Sequence, residues 1–84
     1  MYIPFWFKLR QGKAEPVGEN TVRLTAPNLA EAMISIHGSD QEGWTARFQA
    51  GPPDSAPSAE VSGIANREDA WQAAFELYRE ALVV

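Results

Sequence analysis

Few side chains in this sequence have the type and spacing that catalysis or metal binding requires. His37 is the single histidine and the chain contains no cysteine, so a zinc site of the usual nitrogen and sulfur kind lacks its ligands. The neighbouring acids, Asp40 and Glu42, fall in a predicted turn, although the fold could still bring distant carboxylates together. No phosphate-binding loop, nucleophile elbow or dinucleotide fingerprint is present. We therefore expect a protein that is not an enzyme and that uses no metal ion, no cofactor and no small-molecule substrate.

Basic and aromatic residues form the second group that could act in recognition. The net charge is −4, from eleven acidic and seven basic residues, and this argues against simple electrostatic binding of nucleic acid. The distribution is uneven, however, because four of the seven basic residues fall with two aromatics on the predicted outward face of a sheet. These predicted partner-binding residues are Tyr2, Trp6, Lys8, Arg10, Arg23 and Arg47.

Two kinds of ligand suit such a face. Aromatic rings beside arginines on an open sheet stack nucleobases in several RNA-binding modules, and the same surface could hold a protein segment. An exposed sheet face also needs polar strand formers even without a ligand. Trp6 departs from that plain interpretation, because a large exposed aromatic side chain usually contacts something. A partner protein or a second copy of the chain is the preferred ligand, and single-stranded nucleic acid is the alternative.

Acidic side chains near the C terminus form a third candidate surface. Glu68, Glu76 and Glu80 fall on the solvent side of a predicted amphipathic helix. They could mimic the charge of nucleic acid and occupy a basic groove, as a decoy or inhibitor encoded by a mobile element would do. A solvated helix face has the same composition.

The elements that must position these residues follow from periodicity. Period-two alternation and extended character predict strands over 2–10, 21–26, 44–50 and 59–65. A bulge is expected near Gly63. The Gly- and Pro-containing segments 11–19 and 51–57 are predicted to connect the strands of two hairpins.

Two helices are predicted from caps and buried stripes. Asn28 with Glu31, and Asn66 with Asp69, have the spacing of N-terminal caps. The first helix would end at Gly38, with His37 in its last turn, and its predicted buried residues are Leu29, Ala32, Met33 and Ile36. The second would extend to Leu82, and its predicted buried residues are Trp71, Ala74, Phe75, Tyr78 and Leu82.

The two halves of the chain follow the same predicted order. Residues 5–26 align with residues 44–65 at an offset of 39, and a similar match continues into both helices. We therefore predict one α+β domain over residues 1–84, a β-β-α-β-β-α pseudo-repeat with units 2–38 and 43–82. Its four strands would form one antiparallel sheet with both helices packed on one face.

Two segments of the second unit carry a resemblance to a known family. They are WTARFQ, residues 44–49, and residues 61–81, where a Ser-Gly turn leads into a helix that begins with paired acids and alanine. This half of the chain resembles the β-β-α unit of HicB-type antitoxins and related small bacterial modules. The proline-rich motif of that family is absent, and residues 51–57 stand in its place. The resemblance implies a protein that binds and neutralises a partner protein.

Composition also predicts the compartment. No stretch approaches the roughly 20 apolar residues that span a bilayer, and the N terminus has no charged leader with a cleavage site. The absence of cysteine fits a reducing environment. We expect a cytoplasmic protein without membrane association.

Overall fold

The computed structural model describes residues 2–50 and 58–82, which form a five-stranded antiparallel sheet with two helices. The elements are α1 Phe5–Leu9, β1 Lys13–Gly18, β2 Thr21–Thr25, β3 Ala32–Ser39, β4 Gly43–Ala50, β5 Ser58–Ile64 and α2 Arg67–Leu82. The strands lie side by side in sequence order, each antiparallel to the next. The α+β class and the antiparallel sheet are confirmed, whereas the number of strands and the order of elements differ from the prediction.

Alternation along the three central strands decides which face of the sheet is buried. Val22 on β2 lies opposite Ile34 on β3, which in turn lies opposite Phe48 on β4. Leu24 and Ala32 form a second such pair. All five side chains are 4% exposed or less. Because directly opposite residues share a face, these pairs define an apolar inner face and leave the alternate residues on an open outer face.

α2 covers the inner face over β3, β4 and β5. The Asn66 side chain caps its start, since Asn66 Oδ1 accepts a hydrogen bond from the Asp69 backbone N–H at 2.9 Å and Asn66 Nδ2 donates to Asp69 Oδ2 at 3.1 Å. The buried residues of the helix are Ala70, Trp71, Ala74, Phe75 and Tyr78. The predicted cap and buried stripe are thus confirmed, with Leu82 half-buried at the end. Within the described residues, neither helix is long and apolar enough to cross a membrane.

The N-terminal segment contains a short helix, so the predicted strand over residues 2–10 is wrong. The Pro4 carbonyl accepts hydrogen bonds from the backbone N–H groups of Phe7 and Lys8, at 3.1 and 3.2 Å, and this starts α1. Phe7 is fully buried, and its ring centroid lies 5.6 Å from those of both Phe75 and Tyr78. A strand would place Phe5 and Phe7 on the same face. In the helix, Phe7 points inward while Phe5 remains exposed.

β1 occupies most of the segment predicted to be a loop over residues 11–19. It pairs with β2 alone, with Pro16 opposite Val22. An edge strand tolerates proline, because an N–H directed away from the neighbouring strand has no partner to lose. Five of the six residues of β1 are exposed, so no buried alternation marks the strand in the sequence.

Asn28 forms a turn and not the predicted helix cap. The Leu29 backbone N–H donates to the Ala26 carbonyl at 3.2 Å, and Asn28 has φ +65°. Proline in the second position and a left-handed residue in the third are typical of a type II turn, and Pro27 and Asn28 occupy these positions. The chain therefore reverses here, and a helix over residues 28–38 does not form.

β3 replaces that predicted helix. Ala32, Ile34 and Ile36 are buried at period two, and the helical spacing noted above overlaps with this pattern in so short a segment. β-branched isoleucines favour the extended form, and pairing with both β2 and β4 stabilises it. His37 consequently lies exposed on the outer face of a strand and does not cap a helix.

β4 and β5 form where the sequence predicts them. Trp44 lies opposite Ile64 and Ala46 opposite Val61, so two residues of β5 face one of β4. This is the predicted bulge, and Gly63 within it has φ +76°. The predicted connection 51–57 lies outside the described residues.

The pseudo-repeat has no counterpart in the structure. Residues 5–26 contain α1, β1 and β2, whereas residues 44–65 contain β4 and β5. The units 2–38 and 43–82 therefore do not share a fold, because similar apolar patterns are used in different elements.

A substitution at Gly12 tests whether the Phe7 ring of α1 packs over this residue. A Cβ at Gly12 would stand 2.5 Å from the Phe7 ring, whereas one at Gly18 would meet Thr21 at an ordinary 3.7 Å. We expect Gly12→Ala to lower the free energy of unfolding by about 1–3 kcal/mol, because Phe7 must move. Gly18→Ala should change it by less than about 0.5 kcal/mol. Urea denaturation of both variants makes the comparison, and equal stabilities would contradict the position of Phe7.

Candidate functional site

The predicted partner-binding residues lie on two separate surfaces. Arg23 on β2 and Arg47 on β4 are on the outer face of the sheet, as the alternation predicts. The other four lie on or beside α1, because their segment is not a strand, and they are Tyr2, Trp6, Lys8 and Arg10. The prediction that these four residues lie on the sheet face is therefore wrong. The structure does not bring the six predicted partner-binding residues together on one surface.

Carboxylates accompany both arginines on the outer face. Arg23 Nε lies 2.8 Å from Glu31 Oε1, and its Nη1 lies 3.7 Å from Glu15 Oε1. Arg47 binds Glu60 Oε2 through both Nε, at 3.0 Å, and Nη2, at 2.9 Å. Exposed pairs of this kind add little stability, but they balance the positive charge that the sequence places on this face. Glu15 was not predicted to lie on this face, because residues 11–19 were expected to form a loop.

Apart from Met33, which lies opposite Arg23 and Gln49, the rest of the outer face is polar and contains no aromatic ring on the described strands. Thr45 Oγ1 and Ser62 Oγ are within hydrogen-bonding distance, at 3.1 Å, and His37 lies opposite Thr45. Other side chains on this face are Thr21, Thr25, Ser35, Gln49 and Ser58. Base stacking on a sheet requires exposed rings, so these strands do not present the platform of the RNA-binding modules considered above.

An apolar patch with basic neighbours lies on the N-terminal segment. Phe5 and Leu9, four residues apart on α1, are each 67% exposed, and Tyr2 is 59% exposed. Lys8 Nζ lies 5.9 Å from the centroid of the Tyr2 ring. We call Tyr2, Phe5, Lys8, Leu9 and Arg10 the N-terminal surface. Phe5 and Leu9 are absent from the predicted partner-binding residues, because strand alternation would place both side chains inside.

The N-terminal segment that contains this surface also differs in charge from the rest of the chain. Residues 1–14 contain Lys8, Arg10 and Lys13 and no acid, a charge of +3, while the remaining residues carry four bases and eleven acids, a charge of −7. None of these three cations has a carboxylate partner within residues 2–50 and 58–82. Ion pairs to carboxylates instead involve Arg23, Arg47 and Arg79. The segment thus combines exposed apolar area with uncompensated positive charge.

Trp6 joins α1 to α2 and is half-buried, so it is not the fully exposed ring that the sequence predicts. Its ring is stacked on Tyr78, with centroids 6.3 Å apart and planes 19° apart, and meets Phe7 edge-on at 5.8 Å. The Arg79 guanidinium lies 5.6 Å from the Trp6 centroid, as in a cation–π contact. Trp6 therefore helps to hold the N-terminal surface in a fixed position.

The residues considered for catalysis have structural roles or lie apart. Asp40 Oδ1 accepts a hydrogen bond from Trp44 Nε1 at 2.7 Å, and the Glu42 backbone N–H donates to Ser39 Oγ at 3.0 Å. Both contacts brace the turn between β3 and β4. In the part of the chain that the structure describes, no three acidic or histidine side chains gather to form a metal site.

Tyr78 is the one titratable residue with a clearly altered pKa among those described. It is fully buried, and its hydroxyl has no hydrogen-bond partner within the described residues. Burial raises the pKa of Tyr78 above its usual value, and the nearby charge of Arg10 partly opposes this effect.

Tyr78→Phe tests this arrangement. Because the hydroxyl is buried without a partner, its removal should leave the free energy of unfolding within about 1 kcal/mol of the wild type or increase it. As pH rises above the ordinary tyrosine value of 10.0, the unfolded phenol ionises before the folded one, so wild-type stability falls. We expect the variant to lose less stability over the same pH rise, measured by urea denaturation. A large loss at neutral pH would show that the hydroxyl is bonded.

Comparisons with protein-family models, with curated proteins and with solved structures find no match to this chain. The resemblance to HicB-type antitoxins stays a prediction that rests on residues 44–49 and 61–81.

Proposed function

We propose that this chain is a small, non-enzymatic, cytoplasmic protein-interaction module that binds a partner protein through its N-terminal surface. The observation that carries the proposal is the exposure of Phe5 and Leu9 beside Lys8 and Arg10, two cations without carboxylate partners among the described residues. Contiguous large apolar side chains on a small protein are typical of contact surfaces. Charged residues at the rim of such a contact select and orient the partner.

The chemistry of the surface indicates the chemistry of the partner. Full burial of a Phe or Leu side chain contributes about 1.5–3 kcal/mol, so an apolar counterpart for Phe5 and Leu9 supplies most of the affinity. Lys8 and Arg10 favour carboxylates beside that counterpart, since their positive charge is uncompensated within the described residues. The partner is therefore a protein with an apolar patch flanked by acidic residues.

The outer face of the sheet is a weaker candidate for the same role. A ligand there would have to compete with Glu31 and Glu60 for Arg23 and Arg47. Single-stranded nucleic acid would also find no ring to stack on along the described strands. The resemblance to HicB-type antitoxins favours a partner protein, and the acidic-decoy hypothesis favours the exposed side of α2.

Affinity capture from a lysate of the native cell tests the proposal. Phe5→Ser/Leu9→Ser should reduce recovery of the partner at least about tenfold, because truncating central apolar contacts removes most of the binding energy. Val17→Ser/Val61→Ser is the matched control, since these valines are 40% and 38% exposed elsewhere on the molecule. The control should retain the partner, and circular dichroism should show an intact fold for both variants.

Three outcomes would contradict the N-terminal surface. Loss of the partner only in Arg23→Gln/Arg47→Gln would move the site to the outer face of the sheet. Loss only in Glu76→Gln/Glu80→Gln would favour the acidic decoy. Recovery that disappears after nuclease treatment would identify nucleic acid as the ligand.

A further inference from the structure

We infer that the partner of the N-terminal surface is a second copy of this chain, bound as a two-fold symmetric dimer in which the surface meets the acidic side of α2. The inference rests on the proposed function and names its partner. It follows from the charge distribution, because Lys8 and Arg10 give the N-terminal surface a positive charge that is complementary to the acidic remainder of the same molecule.

The complementary acidic surface is the exposed side of α2. Glu76 and Glu80 are four residues apart on this helix, both are exposed, and four acids and two bases lie on the helix as a whole. We call Glu76 and Glu80 the acidic stripe. The contact of Glu76 with Arg79, at 3.8 Å, is a single exposed ion pair, so it leaves the stripe available to other cations.

The helix that carries the acidic stripe packs against the N-terminal segment. Arg79, one residue before Glu80, lies over the Trp6 ring, and Phe7 of α1 packs against Phe75 of α2. One molecule therefore shows exposed apolar residues and cations on and directly after α1, and carboxylates on the helix that packs against it.

Adjacent surfaces of opposite charge are self-complementary under a two-fold rotation. With the axis beside α1, the two α1 helices meet through Phe5 and Leu9. Lys8 and Arg10 of each copy then approach the acidic stripe of the other, so every favourable charge contact forms twice. The arrangement has the apolar centre and charged rim that protein interfaces commonly show.

Within the described residues of one molecule, Lys8 and Arg10 do not pair with the acidic stripe. Lys8 and Arg10 make no ion pair with Glu76 or Glu80 in the described residues, although their helices are in contact. An intermolecular pairing leaves both surfaces exposed in the monomer and joins them in the dimer.

Analytical ultracentrifugation with charge-reversed variants tests the dimer. Lys8→Glu/Arg10→Glu and Glu76→Lys/Glu80→Lys should each raise the dimer dissociation constant at least about tenfold, because each places like charges across the contact. An equimolar mixture of the two variants should dimerise again, since each restores opposite charges for the other. Raising NaCl from 50 to 500 mM should weaken the wild-type dimer.

Glu19→Lys/Glu42→Lys is the control, because both residues are exposed and lie outside both helices. Its two substitutions change the net charge by the same amount as Glu76→Lys/Glu80→Lys. This variant should dimerise as the wild type does. A wild type that stays monomeric up to about 1 mM, or a mixture that stays monomeric, would overturn the inference. If the wild type is monomeric while Phe5→Ser/Leu9→Ser still loses a captured partner, the proposed function stands and its partner is a different protein.

Discussion

A single helix cannot cover the inner face of a five-stranded sheet, and the rest of the structure depends on this constraint. Neighbouring strands lie about 4.8 Å apart and a helix with its side chains is about 10–12 Å wide, so α2 covers β3 to β5 and little more. Phe7 extends the apolar layer toward β1, where it lies over Gly12 and packs against Phe75 and Tyr78. The short helix that carries Phe7 must therefore dock on the sheet.

That docking creates the exposed surface. With Phe7 directed inward and Trp6 stacked on Tyr78, the short helix leaves Phe5 and Leu9 in solvent. The same helix carries Lys8 and is followed by Arg10, two of the three basic residues of a segment without acids. On the opposite face of the sheet, by contrast, Arg23 and Arg47 are already paired with carboxylates. Packing of the core thus leaves apolar area and positive charge uncompensated in one place, and the proposed contact surface lies there.

Secondary structure follows from the sequence where one hydrophobic period is unambiguous, and not where two periods fit the same segment. β2, β4, β5 and α2 were predicted at nearly their observed bounds, and the outward direction of Arg23 and Arg47 followed from the strands. Residues 28–38 fit helical and extended periods equally well, so their local pattern could not decide between them. The predicted site was wrong at the N terminus for a related reason, because a strand over residues 2–10 would place Trp6 outside and Phe5 inside.

By itself the sequence determined the α+β class, the alternating strands β2 and β4 and the capped C-terminal helix, because the Asn66 cap and the buried stripe of α2 depend on neighbours within a few residues. Only the tertiary structure decided that residues 32–39 form a strand and that residues 5–9 form a helix. The first depends on pairing with β2 and β4, and the second on the aromatic rings of α2. Free energy from contacts distant in the chain outweighs local preference in such short segments.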